Sequence, residues 1–216
     1  MNMVSKLNLL SCVGVAALLV GGNAAAHDSP KMKTMKRGDM AMHMMSADST
    51  IASWPKTPKD VAKKMIAKYG QPNEVTPTML MWHGNGPWKH TMVFKEEVKH
   101  DFPGPHTDLL KQVINYKVPL DKYDDLAMYD GSVVVERTNG VISATCDLEE
   151  ANFLAINLAN DVATGKRSVA QARKFYADTI MAFKKGGKPA YTQALQFRVP
   201  TTRTADADKP AMMMKP

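Results

Sequence analysis

The stretch MLMWHGNGPWKHTMVFKEEV, residues 79–98, decides the fold class. Met79 to His83 reads as a short apolar and aromatic strand. Gly84-Asn85-Gly86-Pro87 reads as a four-residue turn, and a second strand runs from Trp88 to about Val98. Strands joined by so short a turn pair antiparallel, because a parallel pair needs a crossover of a dozen or more residues. The pattern recurs downstream. Leu110 to Val118 is a third strand, and Val133-Val134-Val135 and Val141 to Thr145 flank Asn139-Gly140, a pair suited to a type I′ hairpin turn. His100 to His106 (HDFPGPH) is a loop punctuated by Pro and Gly.

Helical signals lie on either side. Thr57-Pro58-Lys59-Asp60 has the pattern of a capped helix start. Val61, Met65 and Tyr69 follow at helical spacing, and Gly70 and Pro72 stop the run. Leu120 to Met128 has acidic helical character. Asp147 is placed to cap a helix over Ala151 to Ala163, apolar around most of its circumference, with Asn157, Asn160 and Asp161 as a narrow polar stripe. Ser168 and Gln171 make a capping box for a last helix, whose Val169, Ala172, Tyr176, Ile180 and Phe183 define one buried face. Strands separated by turns and helices grouped at the two ends predict an α+β fold. It comprises a mainly antiparallel sheet of about five strands with helices packed on one face, plus disordered N- and C-terminal tails.

The first 26 residues read as a secretory signal peptide. Lys6 is the only charge, Leu7 to Val20 is apolar, and Ala24-Ala25-Ala26 is a small-residue cleavage site. The apolar run is too short for a comfortable membrane span, so no transmembrane segment is expected after cleavage. The expected location is periplasmic or secreted, with His27 as the new N-terminus. Losing Lys6 lowers the net charge from +7 to +6, and losing Cys12 leaves Cys146 as the lone cysteine. A single cysteine makes no internal disulfide, and it reads as a small buried apolar group. Beyond the signal, residues 27–53 read as a disordered Met/His-rich arm, 54–199 as a single α+β domain and 200–216 as a disordered tail.

Seventeen methionines are the unusual feature of the composition. Six fall in KMKTMKRGDMAMHMM, residues 31–45, with His43 in the densest part. A solvated segment gains nothing from exposed thioethers, so the enrichment needs a cause. Thioether sulfur selects Cu(I), and Met40, Met42, His43, Met44 and Met45 bring several donors into one short loop. His27 would add an imidazole and an α-amine. The segment resembles the Met-rich copper-binding stretches of exported copper-handling proteins, a likeness of composition over about fifteen residues. It implies copper sequestration rather than catalysis. The competing reading is a spacer or a sticky arm that docks on a partner.

The remaining four histidines fall between residues 83 and 106. His83 and His90 could face each other across the first hairpin. His100 and His106 flank the loop, with Asp101 and Asp108 nearby, so two histidines and a carboxylate could hold zinc or iron. No tight ligand spacing such as H-x-H or H-E-x-x-H strengthens this. Trp82 and Trp88 fall in the same stretch and could floor a small-ligand pocket, or pack on a helix. The candidate core site is therefore Trp82, His83, Trp88, His90, His100 and His106.

No nucleophile-elbow, phosphate-loop, dinucleotide or calcium-loop motif is present, which points to binding rather than catalysis. The basic charge is spread out and no aromatic–basic stacking motif occurs, so nucleic acid is not an expected partner. Three functions stay open: an exported copper-binding protein, a small-ligand binder or enzyme using residues 82–106, and an envelope interaction protein without a ligand.

Overall fold

The structure is a computed structural model that describes residues 46–212. The expected signal peptide, the arm residues His27, Met40, Met42, His43, Met44 and Met45, and the last four residues lie outside the described residues. In chain order the elements are α1 (Ala47–Ala52), α2 (Lys56–Tyr69), β1 (Glu74–Thr76), β2 (Met79–Asn85), β3 (Trp88–His100) and β4 (His106–Asn115). A 3₁₀ turn (Leu120–Lys122) leads into α3 (Tyr123–Tyr129), β5 (Val134–Glu136), β6 (Val141–Cys146), α4 (Glu149–Ala163), α5 (Val169–Lys184) and α6 (Ala190–Gln193).

All six strands form one sheet in the order β1-β2-β3-β4-β6-β5, and every neighbouring pair is antiparallel. The architecture is α+β, as the turn-linked strands imply. The sixth strand is β1, three residues too short to leave an alternation signal.

The sheet's inner face is legible from its register. Leu80, Val93, Leu110 and Cys146 form one row across β2, β3, β4 and β6, and Trp82, Thr91, Gln112 and Ala144 form the next. All eight are buried. Helix α4 packs on them as the central helix, with thirteen of its fifteen residues buried. At its start Glu149 receives hydrogen bonds from Trp88 Nε1 (2.7 Å), Gln112 Nε2 (2.9 Å) and the Tyr69 hydroxyl (2.5 Å), and it pairs with Lys68. Burial pushes the Glu149 carboxyl up, but these donors outweigh it and hold the group below its ordinary value. One carboxylate thus joins α2, β3, β4 and α4.

The expected polar stripe on α4 is not a solvent face. Asn157 donates to the carbonyls of Tyr191 (3.0 Å) and Ala194 (2.8 Å), and buried Asp161 pairs with Lys166 and Arg167. Asn160 accepts from the Tyr116 hydroxyl at 2.8 Å. Asn157, together with Asp161, which accepts from the Tyr191 hydroxyl at 3.0 Å, fastens the C-terminal segment onto the helix.

Several local expectations are corrected. Helix α2 begins at Lys56 after Pro55, so Thr57 and Pro58 lie inside its first turn and make no cap. The first hairpin closes at Asn85↔Trp88, a two-residue Gly86-Pro87 connection rather than a four-residue turn. The β5–β6 turn spans Arg137–Gly140 between Glu136 and Val141. Only Gly140 takes positive φ (+66°) there, whereas a type I′ turn would need two such residues. Strand β4 begins at His106, four residues before Leu110. Leu148 occupies the N-cap of α4, and Asp147 does not cap it. The capping box of α5 forms between Ser168 and Gln171 as expected.

The folded part also extends past both expected limits. Helix α1 lies within the stretch 27–53, and its Ala47, Thr50 and Ile51 are buried. In the 200–216 stretch, Thr204 is buried and donates from its hydroxyl to Gly140 O at 2.6 Å. Asp206 and Asp208 meet Arg137 on the same turn. No helix among the described residues is long and apolar enough to cross a membrane.

Candidate metal centre

The six core positions singled out in the sequence separate into three groups. Trp82 and Trp88 are 2% and 1% exposed, with indole N–H groups donated to Gly70 O (2.9 Å) and Glu149. Trp88 also packs on Phe153 of α4. Both rings are enclosed in the core, so the pocket lined jointly by Trp and His does not form. His83 alternates with Trp82 along β2 and lies on the opposite sheet face, directly across from His90. The third group is His100 and His106, Cα partners at the far end of the β3–β4 pair.

The chain between them, Asp101 to Pro105, is fastened from outside. The Phe102 ring packs on Tyr176 of α5, and the Arg173 guanidinium lies 3.8 Å from its centroid. Arg173 Nη1 also donates to Tyr129 O at 2.6 Å. A Pro/Gly loop with no regular hydrogen bonding gains its position from this clamp.

Asp108 stands two residues beyond His106 and therefore on the same side of β4. Its Oδ2 lies 3.2 Å from His100 Nδ1, and its Oδ1 lies 3.3 Å from His106 Nε2. One ligand atom from each of His100, His106 and Asp108 falls within 4.8 Å of the others. His106 Nδ1 lies 2.9 Å from Gly104 O, a backbone acceptor that leaves Nε2 as the outward nitrogen. Behind His100, Asp130 Oδ1 lies 3.8 Å from Nε2 and is itself held at 2.8 Å by the Ser132 N–H and hydroxyl. The Cys146 thiol of β6 donates to Asp147 Oδ1 at 3.5 Å and lines one cavity with His106.

The electrostatics follow from this crowding. Hydrogen bonds to Asp108 and Cys146 hold His106 up to about 11, against the effect of burial. Burial raises the Asp130 carboxyl, opposed by Ser132 and His100. Burial likewise raises the Cys146 thiol, opposed by His106, and this 5%-exposed cysteine is the inert buried group expected of it. Despite the short distances, buried His100 Nδ1 and Asp108 Oδ1 have no hydrogen-bond partner. Such orphaned buried atoms are uncommon and call for a cause.

Two imidazoles and a carboxylate suit a divalent transition-metal ion. The adjoining cavity, lined by Gly104, His106, Cys146, Leu148, Tyr176 and Lys184, holds about 60 Å³. On the His106 side that leaves room for an ion and water, whereas the cavity beside Asp108, lined by Phe94, Val98, Ser132 and Val134, holds about 380 Å³.

No family model, curated protein or solved structure matches the chain.

Sequence reasoning reached His100, His106 and the choice between Asp101 and Asp108. Asp101 turns out to pair with Lys99 on the surface (3.1 Å), leaving Asp108 for the cluster. The period-two rule could have chosen between them had β4 been started at His106. Asp130 and Cys146 arrive from the α3–β5 connection and β6, and no local sequence spacing links them to the histidines.

Proposed function

We propose that the protein is an exported metal-binding protein that holds a divalent transition-metal ion between His100, His106 and Asp108. The observation that carries this reading is the convergence of three half-buried ligand groups in which His100 Nδ1 and Asp108 Oδ1 lack hydrogen-bond partners. An ion at their common focus would satisfy both. Asp130 would orient His100, and Gly104 O would orient His106, as outer-shell partners do at metal sites.

The donor set suits Zn²⁺ or Cu²⁺. Copper is the ion favoured by the soft donors of the arm, where Met40, Met42, His43, Met44 and Met45, with His27, form a second sequestering element. Export through the first 26 residues brings the chain to a compartment where copper is met outside the cytoplasm.

The test is isothermal titration of the signal-cleaved chain with Zn²⁺ and Cu²⁺, in parallel with His106→Ala and Asp108→Asn. The expected result is one saturable site whose affinity falls more than about tenfold in each variant. Equal binding by all three proteins would overturn the core site. Replacing the arm methionines with leucine tests the arm separately, by loss of Cu(I) capacity.

A further inference from the structure

The outer face of the sheet carries a second set of metal-ligating side chains, remote in chemistry from the first. Met81 pairs with Met92, and His83 pairs with His90, in consecutive like-facing positions of β2 and β3. Residues opposite one another across an antiparallel pair share a face, as do residues two apart along a strand. Between these positions Trp82 and Thr91, 2% and 0% exposed, point into the helix-covered core. The four side chains therefore make a two-by-two patch on the face that the helices leave uncovered. Cβ atoms lie about 5 Å apart across the strands and about 7 Å along them.

The histidines already hold the geometry of a ligand pair. His83 Nδ1 and His90 Nδ1 lie 3.0 Å apart. An ion bonded to both at the usual distance of about 2.0–2.1 Å would subtend an angle of about 95°. On its far side His83 Nε2 lies 2.6 Å from Glu74 Oε1. A carboxylate there fixes the proton on Nε2 and leaves Nδ1 with its lone pair facing His90. This carboxylate–imidazole arrangement is the usual outer-shell support of a metal-bound histidine. Across β4 the neighbour of Met92 is Lys111, whose charge Glu74, the partner of Met81, offsets at the other end of the row.

We propose that Met81, His83, His90 and Met92 form a binding site for a soft monovalent cation, Cu(I). Two thioethers and two imidazoles are neutral donors, and thioether sulfur is selected by Cu(I) over harder ions. The site does not depend on the divalent centre proposed above, since the two share no residue.

The test is an Ag(I) titration of the signal-cleaved chain, with Ag(I) as the redox-inert surrogate. Binding is read from the methyl resonances of Met81 and Met92 and the ring resonances of His83 and His90. All four should move together along one saturating curve, in the parent and in a chain whose arm methionines are replaced by leucine. Met81→Leu/Met92→Leu keeps side-chain volume and should weaken the response at the histidines more than about tenfold. His83→Gln/His90→Gln, a second variant, should abolish the methyl shifts. Movement of the histidines without the methionines, silence at all four, or a wild-type affinity in the Leu variant would each overturn the proposal. A zinc titration that leaves His100 and His106 unmoved would count against the divalent centre alone.

Discussion

Trp88 and Glu149, on β3 and α4, are joined by a 2.7 Å hydrogen bond from the indole N–H to the buried carboxylate. Gln112, Tyr69 and Lys68 converge on the same group. Glu149→Gln keeps the shape but turns an amide N–H toward several donors. Breaking a buried charged network from one side costs about 3 kcal/mol. Urea denaturation should show a lower midpoint with an unchanged slope. A midpoint equal to that of the parent would show that the node contributes nothing to stability.

The same carboxylate sets a response to acid. Its folded-state pKa is depressed, so its contribution is complete above the unfolded value near 4.5 and is lost as pH falls through the lower folded value. Stability should therefore decline as pH drops below about 4.5, and Glu149→Gln should flatten that decline. Melting temperatures between pH 3 and 6 provide the measurement. Parallel profiles for parent and variant would locate the acid sensitivity elsewhere.

Which parts of this arrangement were readable beforehand follows from how local their causes are. Alternation and turn residues in residues 79–98 give an antiparallel pair without any tertiary information. The all-round apolar character of residues 151–163 likewise gives a central helix. His100 and His106 were readable as flanks of one loop, because a hairpin brings its own ends together. Met81 and Met92 were read only as strand residues, since their meeting depends on the register, and the register depends on a turn of two residues rather than four. Asp130, Cys146 and Glu149 reach their partners through packing of distant elements, for which neither period nor spacing leaves a trace. Asn157, Asn160 and Asp161 were readable only as a narrow polar stripe, because polarity alone does not say which carbonyl, hydroxyl or cation a side chain will meet.

The β5–β6 turn should be intolerant of a side chain at Gly140. Its φ of +66° is strained for any L-residue, and an added Cβ would come 2.3 Å from the Thr204 carbonyl carbon and the Ala205 nitrogen. Gly140→Ala should cost about 2–4 kcal/mol, combining backbone strain with overlap against main chain. It should also release residues 204–208, which limited proteolysis would detect as earlier cleavage there. Cleavage at the parental rate would mean that the segment docks independently of the turn.

Arg173 should act on the metal centre without touching an ion. Its guanidinium lies 3.8 Å from the Phe102 centroid, fixing the loop between His100 and His106. Its Nη1 donates to Tyr129 O, the carbonyl directly before Asp130. The residue therefore ties the ligand loop and the outer carboxylate to one helix. A desolvated cation–π contact is worth about 1–2 kcal/mol, which corresponds to about a tenfold effect on an equilibrium that requires the loop in place. Arg173→Met should weaken Zn²⁺ binding by about that factor and accelerate amide exchange at residues 101–106. Arg173→Lys, which keeps the cation but not the planar stack, should recover part of both. If affinity and exchange are unchanged in the Met variant, the histidines hold their geometry without the clamp, and Arg173 serves only to join α5 to α3.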